Sequence, residues 1–328
     1  MSKNSEIEEM LEKMVIRPIR QKDFDQLFRL VSNSFRREIE ITGLDLQRLS
    51  RVAKLYRIVD MLLPVFDVFH RDFETILVAV SGNRLIGEIH VVPHGKRIWS
   101  LDSSAVDATF RHRGVYKKLL KESLEYVSER NGERVVTSLR ADNVAPVIMT
   151  KRLGFEIFEK QILLQFEACE IPNVEFDEGV SIREVNSADV ERVLEICQML
   201  NPKKMQVYKI TPEDFLDSLF TRIMSRFTWS CSKKWVLEMH GEIVGYAHVI
   251  YVPPQQAGGI ESFYVLPSDN SSKLISVFLS KILEFLATRN IKKVTTNLNE
   301  EWKETIHIFE GFGFKPIASV YEIMKEPL

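Results

Sequence analysis

FRHRGVYKKLL, Phe110 to Leu120, sets Arg111, Arg113, Lys117 and Lys118 around a single glycine, Gly114, and an apolar helical pattern starts directly behind it. The run ahead of it, LDSSAV (Leu101 to Val106), reads as a strand. A helix N-terminus carries unpaired backbone N–H groups and a partial positive charge. A turn before it aims several of those donors at one point. Gly114 lacks the Cβ that would keep a bulky anion away from the main chain. Arg111 and Arg113 add charge and donors, and Lys117 covers the outer side. A diphosphate is the natural guest of such a strand–turn–helix unit. Taken alone, the cluster also reads as a solvated basic face at a helix start.

Outward from this stretch, the chain repeats itself. VIRPIRQKDFDQLFRL (Val15 to Leu30) aligns with SIREVNSADVERVLEI (Ser181 to Ile196), so that Ile16, Arg17 and Asp23 meet Ile182, Arg183 and Asp189. LVAVSGNRLIGEIHVV (Leu77 to Val92) aligns with VLEMHGEIVGYAHVI (Val236 to Ile250), bringing Gly87 onto Gly245 and His90 onto His248. KRLGFEIFEKQ (Lys151 to Gln161) aligns with EGFGFKPIASV (Glu310 to Val320). Three matches in one order mean one fold used twice, with a period of about half the chain, too long for a solenoid. The first copy predicts strands at 15–20, 75–80, 85–92, 97–106, 134–140 and 155–166. It predicts helices from Asp23, over 44–68, from Gly114 to Arg130 and over 144–152. That is an α/β fold, a mixed sheet flanked by helices, occurring twice in tandem. The expected units are 1–169 and 180–328, joined by a polar linker at 170–179.

The chain has 328 residues, 45% apolar and 27% charged, with a net charge of -2. Nothing in this balance advertises nucleic acid or an anionic membrane as partner. Cys169, Cys197 and Cys231 are far apart and form no metal-ligand spacing, so neither disulfides nor a metal site are expected. MSKNSEIEEMLEKM has no apolar core of a signal peptide, and no run reaches the roughly 18 apolar residues of a membrane span. A cytoplasmic protein is expected.

VDATFRHRGVYKKLL (Val106 to Leu120) resembles the acetyl-CoA motif of the GNAT superfamily of N-acetyltransferases, in which Arg/Gln-x-x-Gly-x-Gly/Ala follows a strand. Arg111 and Gly114 match the first two positions, and Tyr116 stands at the third. Ala108 replaces a frequent proline. NVAPVIMTKRLGF (Asn143 to Phe155) resembles the family's second signature through Asn143, Gly154 and Phe155. Pro146 holds the usual alanine position, and Thr150 that of the tyrosine which usually protonates the leaving thiolate. The resemblance implies acetyl-CoA contacts at Ala105, Val106, Arg111, His112, Arg113, Gly114, Val115, Tyr116, Lys117 and Asn143. Tyr116 is expected to point outward. In the second copy Asn270 and Lys273 replace Arg111 and Gly114, so its cofactor loop is degenerate.

The chemistry the resemblance implies is direct attack of a primary amine on acetyl-CoA in a ternary complex, with no metal. The thioester arm would lie between strands ending at Val106 and Arg140, with a main-chain N–H near Ala105–Val106 facing the oxyanion. Asp102 is the nominated base, expected by alternation to share a face with Ser100 and Ser104. Glu88 and His90 are rivals, and the repetition of His90 at His248 favours a structural place for it. Glu261 is the second copy's counterpart of Asp102. Thr150 is a poor thiolate acid. The alternative function is a non-catalytic acyl-CoA-binding or sensing protein, since the usual tyrosine is missing. Substrate choice would be written in 41–73.

Overall fold

A computed structural model describes residues 3–36, 75–94, 97–167, 171–172, 174–175, 178–210 and 230–326. The helical region expected at 44–68, the segment 41–73 and Cys169 lie outside the described residues.

Each copy opens with the same short unit. Strand β1 (Met14–Pro18) leads through a 3-10 turn (Gln21–Asp23) into a helix (Phe24–Ser34), and β7 (Val180–Glu184) leads through Ser187–Asp189 into Val190–Leu200. The aligned Arg and Asp explain the match. Arg17 grips Asp23 with bonds of 2.6 and 3.0 Å while Arg20 N–H donates to the same carboxylate at 2.8 Å. Arg183 grips Asp189 at 2.6 and 2.9 Å, and Asn186 N–H donates at 2.7 Å. Both carboxylates are buried, and the planar fork of arginine satisfies both of their oxygens. In Asp23 and Asp189 alike the arginine bond holds the carboxyl below its usual range.

The predicted meander comes next: β2 (Thr75–Ser81), β3 (Arg84–Pro93) and β4 (Ile98–Val106), repeated as β8 (Cys231–Met239), β9 (Glu242–Val252) and β10 (Ala257–Val265). Gly87 is dictated by packing, because a Cβ there would meet Leu119 at 3.0 Å and Val115 at 3.1 Å. Those residues belong to the helix after the basic turn, Val115–Ser128, which buries Val115, Leu119, Leu120, Ser123 and Val127 along one stripe. Its repeat is Ser271–Ala287. Then come β5 (Arg134–Arg140), a helix (Val144–Arg152) and β6 (Glu156–Glu167), repeated as β11 (Lys293–Asn299), Lys303–Gly311 and β12 (Lys315–Lys325). In chain order, with two helices the sequence pattern did not single out, the helices are α1 (Lys3–Glu12), α2 (Phe24–Ser34), α3 (Val115–Ser128), α4 (Val144–Arg152), α5 (Val190–Leu200), α6 (Pro202–Tyr208), α7 (Ser271–Ala287) and α8 (Lys303–Gly311).

The two copies share one sheet. Its order is β1-β2-β3-β4-β5-β12-β6-β11-β10-β9-β8-β7. The last strand of each copy crosses over: β12 pairs with β5 of the first copy, and β6 pairs with β11 of the second. The core of the first copy lies mainly between β2–β5 and α3, with Leu77, Ile86, Ile89, Trp99 and Leu119 sealed from solvent. Helix α2 covers the opposite face through Leu27 and Leu30.

Two kinds of irregularity recur in both copies. Strands β4 and β5 run parallel but pair only at Ile98↔Arg134, Trp99↔Val135 and Ser100↔Val136, then splay. Thr137 Oγ1 donates to Leu101 O at 2.6 Å at the point of divergence. The pair β10–β11 splays after Ile260↔Thr296, where Thr296 Oγ1 donates to Ile260 O at 2.9 Å. The register of β3 on β4 also jumps from Val91↔Leu101 to His90↔Ser103, so Asp102 is the extra residue of a β-bulge. Glu261 holds the same place in β10, between Ile260↔Val249 and Ser262↔His248.

Candidate functional site

The basic stretch is fastened at both ends. Asp107 Oδ1 accepts from Thr109 N–H at 2.8 Å and its other oxygen from Arg84 at 2.9 Å. Phe110 is fully buried, with the Arg84 guanidinium 4.9 Å from its ring centre. On the far side Val115 is buried as the first residue of α3. Between these anchors the chain bulges outward, with φ of +61° at His112 and +83° at Gly114. Gly114 is the N-cap of α3, and a Cβ built on it would meet nothing within 4 Å. The glycine is therefore required by the backbone angle, and the space above it is open to an incoming group. Arg111, His112, Arg113 and Lys117 are exposed around it. Arg111 Nε donates to Val106 O at 3.1 Å, and Arg113 reaches Asn4 of α1 at 3.2 Å. Helix-end donors, an open approach and several cations suit a diphosphate.

Tyr116 departs from its expected outward orientation. It faces the sheet, is hydrogen-bonded to Ser104, and burial pushes its phenol up to about 12. The cause is its place in the first turn of α3, where the helix lies over β4. Asn143 is the N-cap of α4, exposed, and makes no side-chain cap bond. Thr150 is 1% exposed, and its hydroxyl donates back to Pro146 O at 2.9 Å and Val147 O at 3.1 Å. Its proton is engaged inside α4.

The β4 bulge alters the expected face of Asp102. Ser100 and Asp102 do share a face, and Ser100 Oγ donates to Asp102 Oδ1 in a short bond. Ser104 does not join them: the inserted residue shifts the alternation, sending Ser104 to Tyr116 on the α3 side and Ser103 to Glu88 on the other. His94, in the turn after β3, brings Nε2 to 2.8 Å from Ser100 Oγ. A chain of hydrogen bonds thus runs from Asp102 through buried Ser100 to exposed His94.

These three residues line a pocket of about 310 Å³ together with Leu101, Thr137, Ser138 and Tyr208. Tyr208 comes from α6, in the second copy, and three contacts fix it. Arg134 donates to Gln206 O at 3.0 Å and, in a short bond, to Val207 O. Lys209 Nζ donates to Glu133 at 2.9 Å. The Tyr208 ring stands edge-on to His94 at 5.9 Å and to Phe158 at 6.5 Å.

Glu88 sits deeper, 1% exposed, opposite Ala105 in the β3–β4 register. Burial pushes its carboxyl up to about 8, and hydrogen bonds from Ser103 and from Ala105 N–H offset only part of that. Its Oε1 is buried without a hydrogen-bond partner among the described residues. The repeat of His90, His248, lies 2.9 Å from Ser232 Oγ, a link between neighbouring strands. Sequence reasoning missed His94, Ser138 and Tyr208. Only Pro93-His94-Gly95 carried a local signal, that of a turn. Among the described residues no cluster of three or more His, Cys, Asp or Glu side chains is arranged to hold a metal, and no helix is long and apolar enough to cross a membrane.

The chain is 14% identical to a GCN5-related N-acetyltransferase from Sphaerobacter thermophilus, over 96% of both chains, with a TM-score of 0.63. It is equally similar, at 14% identity and a TM-score of 0.63, to a tandem GNAT protein from the clavulanic acid biosynthesis pathway, covering 95% of this chain and 98% of that one. A third structure, described as an acetyltransferase of Pyrococcus horikoshii, matches at 13% identity over 97% and 90% with a TM-score of 0.56. No curated protein sequence matches the chain. At these identities the solved structures speak for the fold. The model of the Acetyltransferase (GNAT) family matches twice, over residues 44–155 and 196–314, one match in each copy and together more than half of the chain. A doubled GNAT fold, with the glycine-capped basic turn kept in the first copy alone, follows from the residues and from the family match alike: the chain belongs to the GNAT acetyltransferase family.

Proposed function

We propose that the protein transfers an acetyl group from acetyl-CoA to a primary amine, by direct attack within a ternary complex. Acyl transfer is the reaction class of the family. The observation that carries the reading is Gly114, which caps α3 in a left-handed conformation with open space above it and a ring of exposed cations. We take 1–169 as the unit that holds the coenzyme, 180–328 as its partner unit and 170–179 as the join.

Main-chain N–H groups at the start of α3, with Arg111, Arg113 and Lys117, hold the diphosphate. Asp107 N–H is spent on Ile86 O at 2.9 Å, and strand N–H groups alternate sides, so Val106 N–H turns into the gap between β4 and β5. It is the donor for the negative oxygen that forms as the amine adds. An aliphatic amine of pKa about 10 must shed a proton before it attacks. Asp102 Oδ takes that proton. Collapse of the adduct breaks the C–S bond, CoA leaves as a thiolate that takes a proton from water, and the proton on exposed Asp102 returns to water. Glu88, neutral at pH 7, holds β3 to β4 as an acid rather than serving as a base.

The test is to monitor free thiol while the protein meets acetyl-CoA and a panel of monoamines, diamines, amino acids and peptide N-termini. Thiol release with at least one amine is expected. Tight CoA binding with no thiol release for any amine would replace this reading with that of an acyl-CoA sensor.

A further inference from the structure

We propose that Glu322 and Glu159 hold a single proton between them, and that this acid–carboxylate pair is a pH-sensitive clasp that joins the two halves of the chain and sets Tyr208 at the pocket. The two are direct partners in the register of β12 on β6, so their side chains leave the sheet on the same face with Cβ atoms roughly 5 Å apart. Each is 6% exposed. Ser138 Oγ of β5 donates to Glu322 Oε1 at 2.6 Å, and the Tyr208 phenol bonds to the same carboxyl. Asn201 and Asn299 donate to Glu159 Oε1 at 2.9 and 3.2 Å. The two remaining oxygens, Glu322 Oε2 and Glu159 Oε2, are buried without a hydrogen-bond partner among the described residues.

Two carboxylates cannot bond to each other, since each offers only acceptors, and like charges directly opposite in a sheet repel. One proton removes both problems. On Glu322 Oε2 it turns an acceptor into a donor, and Glu159 Oε2 is the acceptor across the strand pair. The surroundings fit one charge rather than two. The hydrogen bonds to the pair come from neutral groups, and Lys204 of α6 acts on Glu322 through its field. Burial raises the Glu322 carboxyl first and the charge of Glu159 raises it further, while Ser138, Lys204 and Tyr208 offset part of that. The other titrating groups around the pair are Tyr264 of β10, within the field of Glu159, and Asp102 of β4, whose charge reaches Tyr208. Helix α6 spans the pair: its N-cap, Asn201, holds Glu159, and its last residue, Tyr208, holds Glu322. A seam that opens frees a carboxyl that ionises above 4.5. The contribution of Glu322 to the closed seam is therefore fully present below pH 4.5 and is lost as pH rises through its raised folded value. With it goes the hold of α6 on Tyr208, which lines the pocket beside Ser138.

Capillary electrophoresis of the native full chain at about pH 7 counts the charge on the pair. Glu322→Gln puts an amide N–H where the O–H stood and is expected to leave the mobility unchanged. Glu159→Gln combined with Glu322→Gln is expected to shift it by one charge, as is Glu122→Gln, an exposed reference on α3. A neutron map of the wild type, which needs no variant to fold, is expected to place a deuteron between the two Oε2 atoms. Hydrogen exchange at the β12 amides from about pH 5 to pH 8, corrected for the intrinsic rate, separates a clasp from plain packing. Relative to Glu322→Gln, opening of the wild-type seam is expected to grow by up to about tenfold per pH unit, the weight of one proton. A one-charge shift in Glu322→Gln, no shift in the double variant, a map without that deuteron, or parallel exchange profiles in the two proteins overturns the proposal. None of these readouts involves acetyl-CoA, so the clasp and the acyltransferase reading fail separately.

Discussion

Replacing Glu88 by glutamine should remove a pH-dependent burden from the fold. The folded protein holds this carboxyl up to about 8, against 4.5 when it is free in solution, because burial disfavours the charged form. Between those values the unfolded chain has released the proton and the folded chain still binds it. The contribution of Glu88 to stability is therefore fully present below pH 4.5, falls as pH rises, and levels off above pH 8. A gap of three to four pH units at about 1.4 kcal/mol each amounts to about 5 kcal/mol. Glutamine has the same shape and does not titrate. The difference in stability, variant minus wild type, should climb by about that amount from pH 4.5 to pH 8.5. Urea denaturation of both proteins at each half unit of pH measures it, and all other titrating groups cancel in the difference. Parallel curves for the two proteins would refute the claim that Glu88 is buried as a neutral acid.

Gly114→Glu should destabilise the protein by about 1–2 kcal/mol through the left-handed backbone and abolish acetyl-CoA binding, read by urea denaturation and calorimetry. Asp102→Asn should slow thiol release at least about a hundredfold at unchanged CoA affinity, the usual weight of a positioned base. Arg17→Ala should cost about 3 kcal/mol by stranding buried Asp23, and Arg17→Lys should recover only part of it, since lysine cannot bridge both oxygens; chemical denaturation reports both.

The repeat was legible wherever a local rule fixed a residue. Arg17 with Asp23 and Gly87 stood out as identities repeated in the second copy and Gly114 as a lone glycine among cations, while what each serves, a turn, a close helix and a left-handed cap, came from the structure. The face of Ser104 was not legible, because a bulge inserts one residue without changing composition, and every side chain beyond it changes side. Tyr116 read as an outward deviation from a motif, whereas its orientation is set by where α3 crosses β4. Tyr208 reaches the pocket from the other half of the chain, and its arrival depends on which strand edge pairs with which.

The crossing of β6 and β12 has a consequence for how the molecule is made. The first copy is synthesised before the second, yet the strand that completes its sheet beside β5 is the last strand of the second copy. Until then β5 offers an open edge, a hazard for nascent chains. A chain cut short anywhere before Lys315 leaves that edge of β5 without β12.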